Sequence, residues 1–129
     1  MNDDVADHTQ IDDALRLSLR EEASSGALVL AAAGEVDLLT ADQLTDAVAA
    51  ALAQRPAVLV IDLTAVTFLD SSGLSVLAKA HATGGQRTTV RVATISDSLA
   101  HRAITLTGMD QLLPVFPSRT DALAADHSR

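Results

Sequence analysis

The reading of this chain turns on "VLVIDLTAVTFLDSSGLSVLAKA", residues Val58 to Ala80. An apolar run of strand character ends in Asp70-Ser71-Ser72-Gly73, and helical periodicity resumes at Leu74. Asp70 or Ser71 is the expected cap of that helix, its side-chain oxygen accepting one of the amides that a first turn leaves free. Gly73 allows close packing there. A hydroxyl at this point also sits among unpaired amides at the positive end of a helix dipole, where an added phosphate is tolerated. Along the helix, Leu74, Leu77, Ala78 and His81 are predicted to form one apolar face, and Ser71, Ser75 and Lys79, four residues apart, a polar stripe.

Upstream, "LRLSLR" (residues 15–20) alternates leucine with polar residues, as a strand with one wet face must. The turn-rich Ala23 to Gly26 leads to "ALVLAAAGEVD", a continuous apolar run suited to burial on both faces, so the two strands are expected to form a hairpin. Thr40 with Gln43 three residues on fits a capping box, which starts a helix near Ala41. Leu44, Val48, Ala51 and Leu52 carry its apolar face, and Arg55-Pro56 stops it. "AVLVIDL" (residues 57–63) is then a buried strand. Downstream, "TTVRVATI" (88–95) reads as a strand, Asp97 to Leu106 as a helix closed by Gly108, and "LPVF" (113–116) as a short last strand. Ser118 and Asp121 are expected to cap a final helix.

Strands separated by helices after an opening hairpin define an α/β fold: one domain over residues 14–126, with a mixed β-sheet packed with about four α-helices. Residues 1–13 hold Asp3, Asp4, Asp7, Asp12 and Asp13 without apolar periodicity, and are expected to be a flexible acidic tail.

Composition narrows the function. A chain of 129 residues with 48% apolar content has enough to build a core. Its formal net charge of -8 and its two aromatic residues, Phe68 and Phe116, argue against a nucleic-acid backbone, an anionic membrane surface or base stacking. Cysteine is absent, which removes disulfides and thiolate chemistry. The N-terminal stretch has neither the basic start nor the apolar core of an export signal, and no apolar run approaches the roughly 20 residues of a membrane helix. A cytoplasmic location is the expectation.

Two catalytic readings fail on position. The nucleophile elbow of hydrolases needs glycine where Leu69 stands. A phosphoaspartate receiver needs its acidic pair after the first strand and a lysine ending the last, whereas Asp12-Asp13 precede the strand and Lys79 is the chain's one lysine. His8 and His127 fall in the terminal segments, and His81 and His101 lie on helices without a second ligand at metal-site spacing. Gly34 and Gly108 most simply end a strand and a helix. The chain is expected to be no enzyme and to need no metal or cofactor.

With these residues in view, the chain resembles the STAS domain family in its small stand-alone form, the bacterial anti-sigma factor antagonists. The resemblance runs from Ala14 to Ala125 and rests on "GEVD" (34–37), "VLVIDLTAVTFLDSSGL" (58–74) and "HRAITLTGM" (101–109). It implies a STAS-like fold and a partner-switching role in transcription regulation and stress response. The unphosphorylated protein would bind an anti-sigma factor with serine kinase activity, and so free a sigma factor. Phosphorylation would end that binding, and a metal-dependent serine phosphatase would restore it. In the family's D-S-[ST]-G motif the first hydroxyl is the phosphorylation site, which is Ser71 here. The resemblance further implies a partner-binding surface of Gly34, Glu35, Asp37, Asp70, Ser72, Gly73 and Ser75, the last standing where many relatives have glycine. The alternative within the family is a non-phosphorylated interaction or ligand-binding module of a stress-signalling scaffold.

Overall fold

The computed structural model describes residues 14–22 and 26–125. The expected acidic tail at residues 1–13, His8, most of the hairpin turn and the end of the chain with His127 lie outside the described residues. Five strands form one sheet: β1 (Leu15–Glu22), β2 (Ala27–Val36), β3 (Val58–Leu69), β4 (Thr89–Ala93) and β5 (Val115–Phe116). They lie side by side in chain order. β1 runs antiparallel to β2, in register from Leu15 opposite Gly34 to Glu22 opposite Ala27, and the remaining neighbours are parallel. Helices α1 (Ala41–Ala53), α2 (Ser71–Gly84) and α3 (Leu99–Leu106) make the crossovers, and α4 (Arg119–Ala124) follows β5. The mixed sheet, opening hairpin and four helices are the architecture the sequence predicts.

Strand alternation sorts the core into two layers. Leu28 and Leu30, Leu59, Ile61 and Leu63, and Val90 and Val92 meet Leu44, Val48, Leu77 and Ile104 of α1, α2 and α3 in the larger layer. The opposite sheet face packs Ala27, Val29, Val58, Val60 and Ala93 against Ala122, Leu123 and Phe116. β2 and β3 therefore read as unbroken apolar runs because both their faces are covered along much of their length. Polar clasps hold α4 down. Arg119 Nε and Nη2 each donate to Asp62 Oδ2 at 2.8 Å, and the buried Arg91 donates through Nη1 to the Ala122 carbonyl at 2.7 Å.

Several local expectations are corrected. The Thr40 side chain does not cap α1: its hydroxyl is buried and donates to the Glu35 carbonyl at 2.7 Å while accepting the Asp37 amide at 3.0 Å. Asp37 shapes the entry instead, Oδ1 taking the amides of Leu39 and Thr40. The face of α2 that is buried consists of Gly73, Val76, Leu77, Ala80 and Gly84, one step around from the predicted face. Small residues there let the helix lie close to its neighbours, which leaves Leu74, Ala78 and His81 half-buried at the flank. α3 begins after Ser98, not at Asp97, because Asp97 has φ of 67° and Ser98 Oγ accepts the His101 amide at 3.0 Å. Ser118 caps α4 as expected, but Asp121 supplies the amide that Ser118 accepts and no second cap. A 3-10 turn at Met109–Gln111 had no counterpart in the sequence pattern.

Candidate functional site

Parallel pairing brings the exits of β2 and β3 to one end of the sheet. Val36 lies opposite Leu69, and the Asp70 amide donates to the Val36 carbonyl at 3.1 Å, so the chain leaves both strands at the same level. Asp70 is extended, with φ of -106° and ψ of -167°, and its Oδ1 accepts the amides of Ser72 at 2.8 Å and Gly73 at 3.3 Å. Of the two caps the sequence offered, the carboxylate is the one used. Ser71 is the first residue of α2, exposed, and its hydroxyl has no hydrogen-bond partner among the described residues. Ser75 and Lys79 continue the exposed stripe along the helix, as predicted.

Gly73 lies buried under the first turn. A Cβ there would overlap Leu69 Cδ1 and stand 2.8 Å from Val36 Cγ1, so glycine is what lets the start of α2 seat on the strand ends. Gly34 has φ of 117°, and a Cβ on it would overlap the Ala14 carbonyl oxygen. It stands within β2 rather than ending it, and glycine there admits the close approach of the chain entering β1. Glu35 is exposed beside Phe68, its partner in register, while Asp37 is committed to the loop that follows. Of the expected surface residues, Ser71 and Ser75 are exposed on α2 and Glu35 on the neighbouring strand, with Ser72 half-buried between. Asp70, Asp37, Gly34 and Gly73 build the site from beneath.

Sequence reasoning passed over the most exposed apolar residues here. Leu38 is 78% and Leu39 85% exposed, in the loop that Asp37 organises, and Phe68 at the end of β3 is 42% exposed. Adjacent leucines between a strand end and a helix start, where turn chemistry calls for polar residues, were the available signal. On the other side of α2's start, the β4 exit carries exposed Ile95 and Leu99, held by a 3.0 Å hydrogen bond between Thr94 Oγ1 and His101 Nδ1. No group of three metal-ligating side chains occurs among the described residues, and no described helix is long and apolar enough to cross a membrane.

This end of the sheet offers surface: apolar side chains that a partner could cover, around a hydroxyl that no other described residue engages. The class that the fold defines is a small α/β domain built on one mixed sheet. The chain is a member of the STAS domain family, whose family model, described as STAS domain, matches residues 18–122. Over 100 residues, 77% of this chain and 80% of the relative, it is 40% identical to the anti-sigma-F factor antagonist RsfB of Mycobacterium tuberculosis. It superposes on the crystal structure of an anti-sigma factor antagonist from Mycobacterium paratuberculosis with a TM-score of 0.79, at 37% identity over 86% of this chain and 92% of that one. The unphosphorylated form of the anti-sigma factor antagonist SpoIIAA shares the fold, with a TM-score of 0.64 at 15% identity over 82% and 92% of the two chains.

Proposed function

We propose that this STAS domain is an anti-sigma factor antagonist switched by phosphorylation of Ser71. The observation that carries the reading is a division of labour at the start of α2: Asp70 does the capping, and the exposed Ser71 hydroxyl is left without a partner among the described residues. The identity to RsfB supports the regulatory role. Unphosphorylated, the loop leucines and Phe68 are covered by an anti-sigma factor, which thereby gives up its sigma factor. That partner is also the serine kinase and brings ATP; this chain is its substrate and no catalyst. A metal-dependent serine phosphatase reverses the modification, and the exchange takes place in the cytoplasm.

Phosphate adds about 1.5 to 2 negative charges beside Asp70. The positive end of the helix dipole accommodates that charge, so the fold stays intact. A docked partner instead meets like charge and must desolvate a phosphate, which weakens binding. The test is incubation with the candidate kinase and ATP, mass spectrometry, and measurement of partner affinity and thermal midpoint on the same samples. One phosphate at Ser71, none on Ser71→Ala, weaker binding and an unchanged midpoint are expected. Transfer to Ser72 in Ser71→Ala at the wild-type rate overturns the site, and undiminished binding of the phosphoprotein overturns the switch.

A further inference from the structure

The second face of the sheet is only partly covered. The six residues of α4 lie over β3, β4 and β5, while among the described residues no helix covers the stretch of β1, β2 and β3 beyond them. A groove of about 310 Å³ runs there, floored by Ala31, Ala33 and Ala65 and walled by Arg16 and Ser18 on one side and Arg119 on the other. Alanine side chains are too short to close such a face themselves. Its charge is also opposite to that of the molecule. Asp62, the acidic residue in the groove, is matched by Arg119, whereas Arg16 is exposed and has no ion pair among the described residues; Arg20 continues the same face of β1.

We propose that this groove is the docking site of the chain's own acidic segment, residues 1–13. Those residues join β1 at Ala14, two positions before Arg16, and hold Asp3, Asp4, Asp7, Asp12 and Asp13 with no lysine or arginine. Thirteen residues reach at most about 45 Å, ample to turn back across three strands spaced about 4.8 Å apart. Charge attraction to Arg16 and Arg20 holds the segment, and Val5, Ala6 and Ile11 supply apolar contact for the alanine floor. The groove lies on the sheet face away from α2, so the inference is independent of the role given to Ser71.

The chain has no cysteine, so Ala6→Cys gives one attachment point for a nitroxide on the full-length protein. At low salt the amide signals of Ala31, Ala33 and Ala65 should fall to roughly half or less, and recover at high salt, which screens exposed charge pairs. Ala50 and Lys79, on helices of the other face, should be unaffected. Arg16→Glu should abolish the broadening, and Asp12→Arg with Asp13→Arg in that background should restore it. Broadening that is absent, equal on both faces, or indifferent to Arg16→Glu overturns the proposal. So does broadening that appears only when labelled and isotope-enriched chains are mixed, since the occupant is then a second copy.

Discussion

At Asp70 one carboxylate oxygen takes two amides, and the serine after it is released from any structural duty. The two residues should therefore respond differently to the same truncation. Asp70→Ala removes a cap and should lower stability by about 0.5–2 kcal/mol. Ser71→Ala removes an exposed, unpartnered hydroxyl and should stay within about 0.5 kcal/mol of wild type. Urea denaturation of both variants checks the order, and a Ser71→Ala variant as unstable as Asp70→Ala contradicts the division of labour. At this scale the sequence narrowed the choice to Asp70 or Ser71 without deciding it. Both types can cap, and the outcome depends on the strand exit, where the Asp70 amide is tied to Val36 across the sheet. Thr40 illustrates the converse: its spacing to Gln43 fits a capping box, but the Glu35 carbonyl lies within reach and takes the hydroxyl.

Among the elements, the loop from Asp37 to Thr40 is the one whose surface is most at odds with solvent. Its backbone is pinned by Asp37, so Leu38 and Leu39 are held out by a rigid support. Replacing both by serine should leave stability within about 0.5 kcal/mol, since neither side chain is packed. Affinity for the anti-sigma partner should fall about tenfold or more, as expected when anchors buried at an interface are lost. Calorimetric titration beside a thermal melt measures both, and retained affinity excludes the loop from the interface. The described strands and α-helices were legible from period and turn chemistry, because a buried face repeats along one segment. What pattern alone could not supply was the rotation of α2, whose contact face is chosen by small residues, or the use of two leucines left largely exposed.

For the molecule as a whole, the attachment of α4 rests on polar contacts as much as on apolar ones. Asp62 is buried and keeps the amide and hydroxyl of Thr64 on Oδ1 while Arg119 occupies Oδ2. Arg119→Ala strands a buried carboxylate and should cost about 1–3 kcal/mol. Removing Asp62 as well, in Asp62→Ala/Arg119→Ala, should recover part of that loss, because no unpaired buried charge remains. Denaturant midpoints of the two variants decide it, and a double variant less stable than Arg119→Ala contradicts the account. The sequence placed this helix by its serine cap but gave no sign of the clasp, whose partners lie 57 residues apart. The order of the sheet has a consequence for how the chain is made. Each strand pairs with the one just before it in the chain, so a polypeptide emerging from the ribosome never has to leave a gap between two strands for one not yet synthesised. The hairpin of β1 and β2 can form first, and β3, β4 and β5 can add to it one crossover at a time. α4, the last of the described elements, can latch the far face once the sheet is complete.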